Sequence, residues 1–68
     1  MRIISNSPRS HIALELDNGF TVSIANTTLP GGPMRIEAAL IDGDNFIETV
    51  PFVTVPELLR LVIQAIEG

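Results

Sequence analysis

Two alternating apolar patterns on either side of a short turn constrain the fold of this chain most. They run through residues 11–17 and 20–25, and their apolar positions are Ile12, Leu14, Leu16, Phe20, Val22 and Ile24. Such alternation is typical of strands with one buried face. A two-residue turn at Asn18–Gly19 would place the two apolar rows on opposite faces, because a slip of one residue reverses a strand. We therefore predict a three-residue loop, 17–19, with Gly19 left-handed in a G1 bulge. This loop pairs Leu16 with Phe20, Leu14 with Val22 and Ile12 with Ile24.

The rest of the chain predicts further strands and one helix. Strands are expected near residues 2–5, 11–17, 20–26, 34–41 and 46–50, and a helix near 55–67. One face of the fourth strand is expected to carry Met34, Ile36, Ala38 and Leu40. The register of the last strand stays open, because Glu48 interrupts the alternation in one pairing and Ile47 in the other. The prediction is one α+β domain, residues 1–68: an antiparallel β-meander of three to five strands with one C-terminal α-helix packed on one face.

The predicted helix has clear start signals and a wide apolar arc for so small a chain. Thr54 and Glu57 form a capping-box pattern, and Pro56 falls in the first turn. At about 100° per residue, the polar side chains lie within roughly 80° of one another. Apolar residues fill most of the remaining circumference, so one edge of the arc is expected to face the sheet and the other a partner. The two edges are Leu59, Ile63 and Ile66, and Leu58, Leu61 and Ala65.

Size and composition favour association with another chain. A domain of 68 residues buries only about 60% of its unfolded surface and is marginally stable alone. The chain has no Cys, which excludes disulfides, and a single His, His11, which argues against a closed zinc site. Oligomerisation is the remaining way to add stability. We therefore expect a homodimer, or docking on a host or other partner protein, without a metal or other cofactor.

The charge pattern argues against nucleic acids and membranes as partners. The net charge is −4, and the four basic residues, all Arg, are scattered. No basic stripe is present to neutralise phosphates. No apolar run approaches the roughly 20 residues of a membrane span, and the N-terminus turns polar too soon for a signal peptide. Together with the absence of Cys, these features favour a cytoplasmic protein.

Two sets of residues are candidates for binding. The candidate interface is apolar and consists of Leu29, Leu58, Leu59, Leu61, Ile63 and Ile66. The candidate ligand loop is built around segment 27–33, and its residues are Thr27, Thr28, Gly31, Gly32 and Arg35. Binding segments are often loops on a rigid scaffold, although such a loop also serves as a plain connection between strands. Non-enzymatic protein binding is the leading hypothesis. The alternative is a homodimer that forms a pocket for a small anionic ligand or nucleotide.

Residues suited to acid–base or metal chemistry do not form a recognisable set. His11 lies beside Ser10, but no nucleophile–base–orienter arrangement is readable. Asp42, Asp44 and Asn45 lack the spacing of a calcium loop and fit a turn better. The chain is therefore expected to have no catalytic residues and not to be an enzyme.

The hairpin resembles a pattern in small uncharacterised proteins of bacteriophages and prophages. Residues 17–24 read D-N-G-F-T-V-S-I, which fits a D-N-G-aromatic-[ST]-V-S-I hairpin. Pro56-Glu57 fits the Pro-Glu step at the start of the C-terminal helix in these proteins. The resemblance covers about residues 12–67 and implies a phage-associated accessory protein with no catalytic residues to transfer. Small acidic phage proteins of this kind commonly bind a host protein, and they include inhibitors of bacterial defence such as anti-CRISPR proteins.

Overall fold

A five-stranded sheet and one helix make up the part of the chain that the computed structural model describes, residues 1–6 and 11–68. The elements are β1 (Arg2–Asn6), β2 (His11–Glu15), β3 (Phe20–Asn26), β4 (Ile36–Asp42), β5 (Asn45–Val50) and α1 (Val55–Glu67). Each strand pairs antiparallel with the next one, so the sheet order is β1-β2-β3-β4-β5. This confirms the predicted α+β meander with a C-terminal helix. The first residues join the sheet as an edge strand.

The β2–β3 hairpin has the predicted register. Two of the expected pairs form in the ladder, Ile12 with Ile24 and Leu14 with Val22. The loop closes with the Gly19 N–H donating to the Leu16 carbonyl oxygen at 3.3 Å, and Gly19 has φ 92°. A side chain at this left-handed φ would be strained, which is why glycine suits the position. The apolar residues of both strands therefore share one face.

β4 begins two residues later than predicted, at Ile36 instead of Met34. The hydroxyl of Thr28 accepts the backbone N–H of Arg35 at 2.9 Å, so this donor is taken up within the loop. The Arg35 carbonyl oxygen accepts from the Thr27 N–H, also at 2.9 Å. Met34 precedes the strand and is 75% exposed. The prediction that Met34 belongs to this strand, on the same face as Ile36, Ala38 and Leu40, is therefore wrong.

An irregularity in β5 resolves the register that the sequence leaves open. Glu48 lies opposite Leu40 and Phe46 lies opposite Ile41, which makes Ile47 an extra residue in β5. A bulge of this kind shifts the alternation of side chains by one position. Glu48 consequently shares a face of the sheet with Leu40, and Phe46 shares the opposite face with Ile41.

α1 packs across β3 and β4, on the face that carries the buried apolar row. The core consists of Val22, Ala38, Leu40, Leu61 and Ala65. The helix begins with the predicted capping box, in which Thr54 Oγ1 accepts the Glu57 N–H and a Glu57 carboxylate oxygen accepts the Thr54 N–H. These bonds satisfy N–H groups that have no partner inside the helix. Because one stripe of the helix is buried on two strands, the rest of its surface stays exposed.

Candidate functional site

The structure decides which edge of the helix faces the sheet. Leu61 and Ala65 are 0% exposed, and Leu58 packs against the same core. The other edge is open, with exposed fractions of 56%, 56% and 62% for Leu59, Ile63 and Ile66. The candidate interface included residues from both edges. The prediction that Leu58 and Leu61 belong to this interface is wrong, because both side chains pack in or against the core.

α1 covers only part of the sheet face on which it packs. Neighbouring strands lie about 4.8 Å apart, so the axes of five strands span about 19 Å. A helix with its side chains is only about 10 Å wide. Since α1 lies on β3 and β4, the same face of β1 stays open beside it. By register, Ile3 (opposite Leu14) and Ile12 (opposite Ile24) lie on this face, and they are 63% and 42% exposed.

Only part of the exposed edge of the helix turns toward the uncovered part of the sheet. On the other side, the Arg60 guanidinium donates to both carboxylate oxygens of Glu48 in β5, at 3.2 and 2.5 Å. At about 100° per residue, Leu58 and Val62 fall opposite Arg60, toward β2, with Ile66 next to them. Ile63 lies about 60° from Arg60 and points away from the sheet. The name open apolar surface is used for the exposed apolar side chains of α1 and for those of β1 and β2 on the same face of the sheet; they are Ile3, Ile12, Val55, Leu59, Ile63 and Ile66.

The accessible area of the chain is larger than its mass predicts. The chain exposes 4709 Å². A folded monomer of 7.3 kDa is expected to expose about 4,200 Å², which leaves a surplus of about 500 Å². Stable interfaces bury about 800 Å² on each partner. The surplus is thus somewhat more than half of the area that one partner buries in a stable interface.

A small slot lies near the N-terminal end of α1, where segment 27–35 meets the residues that precede the helix. Its volume is about 140 Å³, and most of its wall is apolar. It is lined by Thr27, Leu29, Gly32, Pro33, Arg35 and Phe52. Arg35 is the one cationic side chain in this lining set. The slot therefore combines an apolar body with a single positive group.

Two contacts hold the Arg35 guanidinium, and its buried Nε has no hydrogen-bond partner among the described residues. Nη2 donates to Glu37 Oε2 at 3.1 Å, and the guanidinium carbon lies 5.3 Å from the centroid of the Phe52 ring. That distance is within the range of a cation–π interaction. Leaving the buried Nε donor unpaired costs about 1–3 kcal/mol.

The structure brings three of the five predicted ligand-loop residues to the slot. Thr27, Gly32 and Arg35 line it. Thr28 instead shapes the loop through its bond to the Arg35 backbone. Gly31 occupies a turn position with φ 74° and does not line the slot.

Two residues that line the slot were not among the predicted ligand-loop residues. Leu29 was assigned to the interface; it lines the slot while remaining exposed. Phe52 was not predicted at all. Its position just before the Thr54 capping box was a usable signal, because apolar residues that flank a helix start commonly pack against the protein.

His11 makes a contact that the sequence does not reveal. Its Nε2 atom lies 2.7 Å from Ser23 Oγ on the neighbouring strand. Within residues 1–6 and 11–68, no carboxylate hydrogen bonds to the other ring nitrogen of His11. Ser10, considered beside His11 from the sequence, lies outside the described residues. The observed bond links β2 to β3.

The acidic turn between β4 and β5 has the geometry of a tight turn. Asp42 pairs with Asn45 across it, and Gly43 has φ 59°. In the described part of the chain, no group of three or more His, Cys, Asp and Glu side chains is placed to hold a metal ion. The turn prediction for these residues is confirmed.

Comparison with known proteins finds no match: no family model, no curated protein and no solved structure is similar to this chain. None of the helical structure in the described residues is both long and apolar enough to cross a membrane.

Proposed function

We propose that this chain is a non-enzymatic binding protein that acts through protein–protein contact and works as a homodimer. The observation that carries the proposal is the exposure of six large apolar side chains on α1 and on the part of the sheet that α1 does not cover. On a chain of 68 residues, grouped exposed apolar side chains are typical of an interface. A second copy of the chain is a partner that is always present to cover this surface.

The proposed dimer has two-fold symmetry, in which each copy contributes the same surface. The uncovered part of the sheet is about as wide as one helix. The helix edge of one copy, Ile63 and Ile66, would pack on Ile3 and Ile12 of the other copy, and the reverse contact follows by symmetry. Each copy then supplies the cover that its partner lacks.

The biological role that we propose follows from the phage resemblance. The dimer acts in the cytoplasm as a phage accessory protein that binds a host protein, with inhibition of a bacterial defence system such as CRISPR as the outcome. The absence of Cys and the lack of a basic stripe support a cytoplasmic protein that does not bind nucleic acid directly.

Nuclear magnetic resonance with mixed isotope labels tests the dimer directly. One sample combines labelled and unlabelled copies, so that only contacts between copies are detected. We expect magnetisation transfer between the methyl groups of Ile63 or Ile66 in one copy and those of Ile3 or Ile12 in the other. Transfer confined to other residues would contradict the proposed interface.

A plating assay tests the role in host defence. Bacteria with an active CRISPR system that targets a phage are expected to become sensitive to that phage when they express this protein. Ile63→Glu should abolish the effect because it places a charge in the open apolar surface. Ile47→Glu is the matched control, since Ile47 is the same residue type with a similar exposed fraction, 52% against 56%, and lies on β5 instead. Equal activity of Ile63→Glu and the wild type would contradict a role for this surface.

A further inference from the structure

Asn18 and Gly19 are adjacent in the β2–β3 loop, and this pair of residues is chemically reactive. The backbone nitrogen of the residue after an asparagine can attack the side-chain amide carbon, and a glycine there leaves the nitrogen unhindered because it has no Cβ. A Cβ added to Gly19 would meet nothing within 4 Å, so the space around it is open. Both residues are exposed to solvent. The loop therefore holds the groups that react in asparagine deamidation.

Hydrogen bonds hold the reacting atoms in place in the folded chain. Asn18 Nδ2 donates to the Ala65 carbonyl oxygen at 2.8 Å, and Asn18 Oδ1 accepts the Phe20 N–H at 3.1 Å. The Gly19 N–H donates to the Leu16 carbonyl oxygen at 3.3 Å. Deamidation brings the amide carbon to bonding distance of the Gly19 nitrogen, which must first lose its proton. The reaction therefore requires the side chain to leave Ala65 and the Gly19 N–H to leave Leu16.

The bond to Ala65 makes this reaction depend on the helix. The other two bonds lie within the hairpin loop, whereas Ala65 lies in the last turn of α1. The Gly68 N–H closes this end of the helix by donating to the Gln64 carbonyl oxygen at 3.0 Å. Ends of elements open with a smaller free energy than the whole fold. Opening of the end of α1 therefore releases the Asn18 side chain while the sheet stays folded.

We propose that Asn18 is a modification site, at which docking of the end of α1 controls spontaneous deamidation. The Gly19 nitrogen gives up its proton and forms a bond to the side-chain carbon of Asn18. The bond from that carbon to Nδ2 breaks, and Nδ2 leaves as ammonia. Water then opens the cyclic imide and leaves an aspartate or an isoaspartate, so the net change consumes one water and releases one ammonia.

The products of this reaction do not restore the contact with the helix. Each carries a carboxylate, which has no N–H to donate to Ala65 and which places a negative charge at the negative end of the helix dipole. The isoaspartate also lengthens the backbone of the three-residue loop by one methylene group. A copy with a docked helix end is thus preserved, whereas a copy whose helix end opens is altered irreversibly. The site shares no residue with the open apolar surface, so the inference goes beyond the proposed protein binding and is independent of it.

Peptide mass spectrometry of the full-length protein, incubated at mildly alkaline pH, tests the site. Deamidation raises the mass of a peptide by one dalton, and chromatography separates the isoaspartate form. Asn18 should react about ten-fold or more slowly in the folded protein than in the urea-unfolded chain, because the helix end must open first. Asn26 is the internal control, since its Oδ1 also accepts a backbone N–H, that of Thr28 at 3.0 Å, but Thr27 follows it instead of glycine. In the unfolded chain, Asn26 should react many-fold more slowly than Asn18.

Two substitutions at one exposed helix position test the control by α1. Gln64→Gly and Gln64→Ala both remove the side chain and its contact with Arg60. Glycine weakens a helix much more than alanine does. Under folding conditions, Gln64→Gly should therefore deamidate at Asn18 several-fold faster than Gln64→Ala.

Three results would overturn the proposal. They are equal rates at Asn18 in the folded and the unfolded wild type, equal rates at Asn18 in the two Gln64 variants, and a rate at Asn26 that matches Asn18 in the unfolded chain. The first and third comparisons use the wild type alone, so they decide the question even if a variant fails to fold.

Discussion

The Nδ2 atom of Asn18 donates a hydrogen bond to the carbonyl oxygen of Ala65 at 2.8 Å, across 47 positions of the chain. The Oδ1 atom of the same side chain accepts the N–H of Phe20 at 3.1 Å. One residue therefore both shapes the β2–β3 turn and ties it to the last turn of the helix. This carbonyl is among those at a helix end that have no partner inside the helix.

Asn18→Asp should lower the free energy of unfolding by about 1–2 kcal/mol. The aspartate can still accept from Phe20, but it loses the donor to Ala65, which is worth about 1 kcal/mol. It also places a negative charge at the negative end of the helix dipole. Urea unfolding measures the change. Asn26→Asp is the matched control, because Asn26 Oδ1 likewise accepts a backbone N–H two residues on, that of Thr28. It alters the net charge equally and is expected to change stability much less; an equal loss would contradict the role of Asn18.

The ion pair between Glu48 and Arg60 should make the fold sensitive to acid. The hydrogen bonds from Arg60, and then its charge, lower the pKa of the Glu48 carboxyl in the folded state. A lowered folded-state pKa contributes stability that is present above the unfolded value, about 4.3, and is lost as the pH falls through the folded-state pKa. Arg60→Gln should therefore flatten the fall of stability below about pH 4.3.

Urea unfolding of the wild type and Arg60→Gln at several pH values checks this difference in slope. Part of the acid dependence will persist in the variant, because the N-terminal ammonium group of Met1 also lowers the pKa of Asp17. Salt at 1 M should shrink the difference between the two proteins, since both side chains are accessible to solvent and the screening length is then about 3 Å. Identical slopes at low salt would contradict the contribution of Glu48.

Leu61 and Ile63 lie two residues apart in the helix and should respond differently to truncation. Leu61 is fully buried, so Leu61→Ala should cost about 2–5 kcal/mol at every protein concentration. Ile63→Ala should cost less than about 1 kcal/mol in dilute solution, because the side chain is exposed in one copy. Its cost should grow with protein concentration as the wild-type dimer forms. A concentration-independent loss for Ile63→Ala would place this side chain in a core instead of an interface.

Local patterns predicted the hairpin and the helix well. The pairing of Leu14 with Val22 follows from alternation and the glycine in the turn, and the helix start follows from Thr54 and Glu57. Each of these features depends on residues close together in the chain. Local sequence patterns were therefore enough to predict the hairpin register and the start of the helix.

Features that depend on distant residues were not predictable in this way. Glu48 and Ile47 gave conflicting alternations because a bulge shifts the register between them, and the bulge places Glu48 beside Arg60. The sequence left two edges of the helix equivalent, and only packing on β3 and β4 buries Leu61. Phe52 reaches the slot because the chain before α1 returns to the start of β4, where the Val53 N–H donates to the Ile36 carbonyl oxygen. Arg35 was predicted to line a ligand pocket formed by two copies, and it lines the slot of a single copy.

Sedimentation equilibrium from micromolar to millimolar concentration measures the proposed dimer. We expect the wild type to have twice the mass of the 7.3 kDa chain at the upper end of this range. We also expect that Ile63→Glu remains a folded monomer, whereas Ile47→Glu associates like the wild type. A wild type that stays at 7.3 kDa throughout, or an Ile63→Glu variant that still forms the dimer, would contradict the open apolar surface as the interface.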